Sequence, residues 1–292
     1  MILVTGASGF IGAALMQALG VNAIGLQRHS DGSDPRIHTV DLTNAESVTK
    51  LLIDLEGYSI SHVIHTAAVV PWSDSSDFTL DEYMAESVQR LCETLKIPRL
   101  MFISGWNVYD MSTSTPPFSE ATDVGPSDEY GKSKYRTETF FRDNLETTRL
   151  LVLRTASVYG IGQTSKGLIP NLVSSAIEHG RMTLNATDTR RDYIHIDDLV
   201  NVVLELASKE VSGVLNIGSG HSLSVGEIAS TVQDIFKLGF KEDILIEHSE
   251  HLSESVLTDN RLDITKAQTI GLLGQTHDFR SGLAEYIAWR RA

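Results

Sequence analysis

Nine residues near the N-terminus, Val4-Thr5-Gly6-Ala7-Ser8-Gly9-Phe10-Ile11-Gly12, carry three glycines at intervals of three residues. The preceding run Met1-Ile2-Leu3-Val4 is apolar and short, which is typical of a strand buried on both faces. Apolar residues then recur at helical spacing up to Gly20: Ile11, Leu15, Ala18 and Leu19. The glycines are therefore predicted to lie on the turn between a buried strand and a helix.

Such a turn suits the pyrophosphate of a dinucleotide. Glycine has no Cβ to hold a phosphate away, and the first N–H groups of the helix point towards it. The spacing is G-x-x-G-x-x-G, whereas other dinucleotide folds have G-x-G-x-x-G. The alternative is a tight strand–helix turn without a ligand. The candidate cofactor-binding residues of this turn are Gly6, Ser8, Gly9, Phe10, Ile11 and Gly12.

Apolar runs and helical patterns alternate along the first half of the chain. Strands are predicted at 23–26, 37–40, 62–65, 100–103 and 150–153, and helices at about 43–55, 80–95 and 128–144, the last capped by Ser127. This alternation predicts an α/β fold with a doubly wound, parallel sheet of the Rossmann type. We predict a dinucleotide-binding domain over residues 1–160, joined by a segment near 192–217. Residues 161–292 are predicted to form a smaller, interlocked part that mostly binds substrate.

Composition narrows the class of protein. Lys and Arg number 24 against 38 Asp and Glu, so the 292-residue chain has a formal charge of −14. This balance argues against binding to nucleic acid or to an anionic membrane, and no apolar run could span a bilayer. Cys92 is the only cysteine, which excludes an internal disulfide and favours a cytoplasmic location. The histidines show no metal-ligand spacing, and no metal is expected.

One tyrosine has a lysine four residues further on, in Tyr130-Gly131-Lys132-Ser133-Lys134. On a helix this spacing places the phenol and the ammonium group on one face. The cation is expected to lower the pKa of the tyrosine from its usual value near 10. A phenol of this kind can exchange a proton with a carbinol or carbonyl while hydride moves to or from a nicotinamide. Alone, the pair would more often mark a solvated helix face.

Together these motifs resemble the extended short-chain dehydrogenase/reductase family, the NAD-dependent epimerase/dehydratase group that acts on sugar nucleotides. Further familial motifs are His65-Thr66-Ala67-Ala68, Phe102-Ile103-Ser104, Val108-Tyr109, Leu153-Arg154, Val158-Tyr159-Gly160, Arg191-Asp192-Tyr193-Ile194-His195 and Asn216-Ile217-Gly218. The resemblance implies that Tyr130 is the acid/base and that Lys134 tunes it and holds the nicotinamide ribose. It implies that Arg191 binds the substrate's diphosphate, unless it merely pairs with Asp192 or another acid.

The resemblance also implies further contacts and an assembly. Asp41 and Leu42 would lie beside the adenine, with Ala67 and Ala68 also at the cofactor. Relatives often form homodimers through the helix near 80–95 and the Tyr130 helix. The apolar residues that would supply this surface are Met84, Val88, Leu91, Leu95 and Phe140, and the alternative is that all of them face the sheet.

The chain departs from the family pattern next to the predicted acid/base. Gly105 stands where relatives have the Ser or Thr that holds the reacting oxygen, so Ser104 and Asn107 are the candidate substrate contacts. Trp106 and Asn107 replace the acid/base pair of the 4,6-dehydratases, and neither shuttles protons at neutral pH. Reduction, or epimerisation through a keto intermediate, is therefore favoured over dehydration. The rival hypothesis is a catalytically weak NADP-binding sensor or assembly module.

The end of the second predicted strand bears on the choice of cofactor. An acidic side chain there would bind the ribose 2′-hydroxyl of NAD. The sequence instead has Gln27-Arg28-His29-Ser30, which contains no carboxylate. Arg28 can pair with a 2′-phosphate, so NADP is favoured over NAD. If Arg28 only stacks on the adenine, both cofactors are acceptable.

Overall fold

The computed structural model describes residues 1–30, 32–71, 77–164, 167–185, 187–249, 258–274 and 276–292. Its strands are β1 (Ile2–Thr5), β2 (Ala23–Gln27), β3 (Ile37–Thr39), β4 (His62–His65), β5 (Arg99–Gly105), β6 (Arg149–Thr155), β7 (Ser157–Tyr159), β8 (Arg181–Leu184), β9 (Arg190–His195), β10 (Gly213–Ile217), β11 (Ser222–Ser224) and β12 (Leu245–His248). Its α-helices are α1 (Phe10–Leu19), α2 (Ala45–Asp54), α3 (Leu80–Thr94), α4 (Glu129–Asn144), α5 (Leu168–His179), α6 (Ile196–Ala207), α7 (Val225–Ile235), α8 (Thr265–Thr269) and α9 (Phe279–Arg291).

The chain forms two units, each built from three segments. The first unit contains Met1–Asp110, Asp123–Thr155 and Val200–Leu215, and the second contains Met111–Thr122, Ala156–Leu199 and Asn216–Ala292.

The first unit is organised by a sheet that has seven strands within the described residues, in the order β10-β6-β5-β4-β1-β2-β3. All pairings from β3 to β6 are parallel. Thr5 pairs with Leu26 on one side and His65 on the other, so these strands end together. Residues that follow the strands therefore meet at one edge, where open α/β sheets bind ligands. The predicted doubly wound parallel sheet is confirmed.

Burial on both faces explains the apolar strands of this sheet. Leu3, Val4, Val63 and Ile64 have no exposed surface. Apolar stripes of α2 and α3 pack against the face that carries Leu3 and Val63. Val88 and Leu91 belong to this core and are fully buried. Their expected contribution to an outer apolar surface is therefore wrong. The partly buried residues Met84, Leu95 and Phe140 pack against the same core.

Helix α4 begins one residue later than its predicted cap implies. Asp128, not Ser127, occupies the cap position, and its carboxylate accepts the Gly131 N–H at 2.6 Å. A carboxylate at this position also interacts favourably with the positive end of the helix dipole. Gly131 is required because a Cβ there would lie 2.4 Å from the Asn107 carbonyl oxygen. The first turn of α4 thus rests directly on the backbone that follows β5.

The second unit contains two small sheets and its own apolar core. Strand β9 pairs with β7 in parallel and with β11 in antiparallel orientation, and β8 pairs with β12 in parallel. Helices α5, α7 and α9 supply core residues, among them Val173, Ile228, Val232, Leu283 and Ile287. Across the described residues, no helix is both long enough and apolar enough to cross a membrane.

Candidate active site

The glycine-rich turn joins β1 to α1 through very close backbone contacts. Gly6 has a φ of +68°, a region that glycine occupies without strain. The Gly9 N–H donates to the Gly6 carbonyl oxygen at 2.9 Å. A Cβ at Gly12 would lie only 2.0 Å from that same oxygen. Gly6 and Gly12 are therefore required by the packing of α1 against the end of β1.

The beginning of α1 fits a dinucleotide pyrophosphate. Gly9 is the cap residue of α1, and no side chain accepts a hydrogen bond from the first turn. Ser8 and Gly9 are exposed, and Phe10 and Ile11 are partly buried. An uncapped helix start with exposed backbone N–H groups is a favourable site for an anion.

Three further predicted cofactor contacts follow β2 and β3 at the same sheet edge. Arg28 is exposed after β2, Asp41 is exposed after β3, and Leu42 is buried. Hydrogen bonds from the Thr43 hydroxyl and N–H lower the pKa of Asp41, and the charge of Arg28 lowers it further. The charge of Arg28 thus acts on Asp41, for which the sequence predicted only a contact with the adenine.

A buried network holds the turn after β4 that contains Ala67 and Ala68. The Thr5 hydroxyl oxygen accepts the N–H groups of Thr66 and Ala67 at 3.2 and 3.3 Å. Its own proton is therefore directed to Nδ1 of His65, 2.7 Å away. Burial, assisted by the charge of Lys134, lowers the pKa of His65 to about 3, so the ring is neutral. The sequence analysis did not predict that His65 accepts a hydrogen bond from Thr5. A histidine at the end of a buried strand was the feature that could have indicated it.

Tyr130 and Lys134 lie on one face of α4. Nζ of Lys134 is 5.6 Å from the centroid of the Tyr130 ring and donates to the Ile103 carbonyl at 3.0 Å. Lys134 is only 4% exposed. Burial lowers the pKa of Lys134, and the charges of Asp81 and Glu138 act in the opposite direction. The ammonium group keeps two further N–H donors, which can serve ribose hydroxyls.

The protonation of Tyr130 differs from the expectation. Burial, followed by the negative charges of Asp81 and Asp128, raises the pKa of Tyr130 above its usual value. The expected lowering of this pKa by Lys134 is therefore wrong. The phenol carries its proton at neutral pH, as an unperturbed tyrosine also does, and can donate it.

The end of β5 brings Ser104 into a buried ion-pair network. The Ser104 hydroxyl donates to Oε1 of Glu138 at 2.5 Å, and Oε2 of Glu138 lies 2.7 Å from Nη2 of Arg154. All three side chains are almost fully buried. Gly105 is extended, and Nδ2 of Asn107 donates to Asp128 at 3.4 Å. The proton of Ser104 is thus engaged, whereas the Asn107 amide retains a second N–H.

Arg191 belongs to the second unit, on β9. Burial lowers the pKa of its guanidinium, and Nη1 donates to the Thr258 hydroxyl at 3.2 Å. The neighbouring Asp192 is fully buried and accepts hydrogen bonds from three residues in two segments of this unit. Its donors are the Ser219 N–H and hydroxyl, the Gly220 N–H and the Leu262 N–H.

One group of side chains among the described residues has the composition of a metal site, which the histidine spacing did not indicate. It comprises His195, Asp197 and His277. However, Nδ1 of His195 accepts the Asp197 N–H at 3.3 Å, and Nδ1 of His277 pairs with Asp198 at 2.7 Å. The two imidazole rings are stacked, with centroids 4.2 Å apart, so these side chains already have partners within the protein.

Comparisons with known proteins identify the family of the chain. The model of the NAD dependent epimerase/dehydratase family matches residues 2–218. A dTDP-4-dehydro-6-deoxyglucose reductase of Escherichia coli is 28% identical over 299 residues, covering 91% of this chain and 90% of that protein. The structure of MoeE5 in complex with UDP-glucose and NAD is 26% identical, with a TM-score of 0.82 over 99% of this chain and 98% of that one.

A UDP-glucose 4-epimerase from Thermotoga maritima, solved with UDP-glucose, shares the fold. Its TM-score is 0.81 at 21% identity, over 99% of this chain and 98% of that chain. The family match extends from β1 through β10, and it includes the glycine turn, the Tyr130/Lys134 pair and Arg191. The chain therefore belongs to the NAD dependent epimerase/dehydratase family, and it is an enzyme of the oxidoreductase and epimerase type.

Proposed function

We propose that this enzyme reduces a keto group on a sugar nucleotide, with Tyr130 as the proton donor and Lys134 as its partner. The observation that carries the proposal is the pair on α4, in which Nζ of the buried Lys134 lies 5.6 Å from the centroid of the partly buried Tyr130 ring. Reduction of a carbonyl requires a proton at the oxygen that becomes the hydroxyl, and a neutral phenol can supply it. The E. coli relative, which is a reductase, supports this direction.

The first unit would hold the cofactor. The glycine turn would bind the pyrophosphate, Asp41 and Leu42 would flank the adenine, and Ala67 and Ala68 would line the remainder. Lys134 would bind the nicotinamide ribose with the two N–H groups that it does not give to Ile103. When bound, NAD(P)H supplies the hydride.

Residues 161–292 would bind mostly substrate, with Arg191 pairing with the diphosphate. Arginine suits this task because its planar fork binds phosphate through two parallel hydrogen bonds. At the reacting oxygen we propose the Asn107 amide as the main contact, since the proton of Ser104 is directed to Glu138. Ser104 would contribute through its remaining lone pair.

Reduction is preferred over two other reactions of the family. Dehydration needs an acid/base pair where this chain has Trp106 and Asn107, and neither side chain exchanges protons at neutral pH. Epimerisation begins with removal of a hydroxyl proton, which the raised pKa of Tyr130 opposes. MoeE5 was solved with UDP-glucose and NAD, which supports a uridine or thymidine diphosphate sugar as the class of substrate.

The test is Tyr130→Phe, which removes only the hydroxyl and retains the contact with the Phe78 ring. We expect turnover of dTDP-4-dehydro-6-deoxyglucose to fall by about 10²–10⁴-fold, with unchanged affinity for the reduced cofactor. Tyr58→Phe is the matched control, since Tyr58 is 50% exposed and lies outside α3 and α4, and it should behave as wild type. Full activity of Tyr130→Phe would refute Tyr130 as the proton donor, whereas a wild type without turnover would favour the sensor or assembly module instead.

We also propose a preference for NADP, because β2 ends at Gln27 and Arg28 without a carboxylate. NADPH should bind more tightly than NADH, and Arg28→Ala should weaken NADPH alone. Tighter binding of NADH to the wild type would contradict this preference.

We further propose a homodimer through α3 and α4. The exposed Tyr83 and the partly buried Phe140 would contribute to it, while Val88 and Leu91 would not. A monomeric mass in analytical ultracentrifugation at micromolar concentration would contradict the dimer.

A further inference from the structure

Asp81 is a buried carboxylate that the proposed reaction has not used. It lies in the first turn of α3 and is 4% exposed. Its Oδ1 accepts the Val69 N–H at 2.7 Å, and its Oδ2 accepts the Ser133 hydroxyl at 2.5 Å. A buried carboxylate is costly, so its retention calls for a physical reason.

The hydrogen bond to Ser133 has a consequence for the geometry of α4. Ser133 lies between Tyr130 and Lys134 in the sequence and is fully buried. Asp81 therefore ties this turn of α4 to α3 and, through Val69, to the turn that follows β4. Since a displacement of about 1 Å can cost a hundredfold in rate, such a tether is relevant to a proton donor.

The charge of Asp81 acts on both members of the pair. Asp81 from α3 and Asp128 from the start of α4 disfavour the phenolate of Tyr130, and Phe78 packs beside the same ring. Asp81 and Glu138 favour the ammonium form of Lys134, against burial. Neutral His65 lies on the β4 side. Of the carboxylates, Asp81 is the one that acts on both groups.

We infer that Asp81 is a positioning residue: through Ser133 it fixes the α4 turn that carries the pair, and its negative charge acts on both Tyr130 and Lys134. This inference rests on the proposed function for its catalytic meaning. The charge effect itself does not depend on activity and can be measured separately. A pair that retains both protons is suited to reduction, because the phenol has a proton to give and the ammonium group remains a donor.

The first experiment measures the titration of Lys134 by NMR, using lysine labelled with carbon-13 at Cε and Lys134→Met to assign the signal. In Asp81→Asn we expect the midpoint of Lys134 to fall by about one pH unit, the scale of one nearby charge. Glu86→Gln removes a charge from an exposed position of α3 and should leave the midpoint unchanged. Asp81→Glu, which retains the charge, should also leave it close to wild type. An unchanged midpoint in Asp81→Asn would overturn the charge effect.

The second experiment separates the tether from the charge. Ser133→Ala retains Asp81 and should leave the Lys134 midpoint in place while turnover falls about tenfold. Asp81→Asn should in addition move the basic limb of the kcat/KM profile to lower pH, whichever member of the pair sets it. Wild-type turnover in Ser133→Ala would overturn the tether, even if Asp81→Asn did not fold. A shifted midpoint together with full activity of Tyr130→Phe would refute the proposed function and leave the charge effect intact.

Discussion

Gly9 and Gly12 lie three residues apart in one turn, and replacing each by alanine should have opposite consequences. A Cβ at Gly12 would lie 2.0 Å from the Gly6 carbonyl oxygen, about 1 Å inside the shortest contact that real Cβ atoms make. Because that neighbour is backbone, α1 must move away from β1. Overpacking of this kind costs about 3 kcal/mol, so Tm should fall by roughly 6–12 °C.

Gly9→Ala provides the matched control for the fold and the test for the cofactor. Gly9 has a φ of −75° and a ψ of 167°, which alanine adopts without strain. A Cβ there would meet only the Gly6 carbonyl oxygen, at 3.2 Å. Stability should be unchanged or higher by about 0.4–1 kcal/mol. The methyl group would nevertheless stand at the uncapped start of α1, so affinity for the reduced cofactor should fall at least tenfold.

Two measurements decide both predictions: thermal unfolding without ligand, and isothermal titration of NADPH and NADH. A wild-type Tm for Gly12→Ala would refute the packing argument for this glycine. Wild-type affinity in Gly9→Ala would show that the pyrophosphate does not approach this turn, and the assignment of the cofactor site would then be wrong.

Three further predictions concern stability, pH and turnover. Glu138→Gln leaves the buried guanidinium of Arg154 without its counter-charge and should lower the free energy of unfolding by about 3–5 kcal/mol, seen as a drop in Tm of roughly 10 °C. Glu46→Gln, in an exposed pair with Lys50, should leave Tm unchanged. Burial lowers the pKa of His277, but the carboxylates around it, first among them Asp198, raise it above 6.5. The protonated ring therefore stabilises the fold below pH 6.5, and this stabilisation is lost as the pH rises through the higher pKa of the folded state. His277→Gln should therefore lower Tm by about 1–3 °C at pH 6 and by less at pH 8.5, and an equal gap at both pH values would contradict the assignment. Gly105→Ser adds a hydroxyl on an extended backbone, and the new Cβ would lie 3.3 Å from Oδ1 of Asn107. We expect turnover to be up to tenfold faster. Slower turnover would show that another group already holds the reacting oxygen.

Local spacing was sufficient for the features that depend on neighbours along the chain. The helical period places Tyr130 and Lys134 on one face, and the glycine intervals place a tight turn between β1 and α1. The alternation of apolar runs predicted the parallel sheet, since strands buried on both faces are apolar throughout. These inferences need no knowledge of which distant residues meet.

The electrostatics of the site depend on contacts between residues far apart in sequence. Asp81 meets Ser133 across 52 positions, and Ser104 meets Glu138 across 34. From the spacing alone, Lys134 was expected to dominate the pKa of Tyr130, but burial and two carboxylates reverse the direction. A pKa depends on every charge within a few ångströms and on the water that folding removes, and neither is determined until the chain has packed.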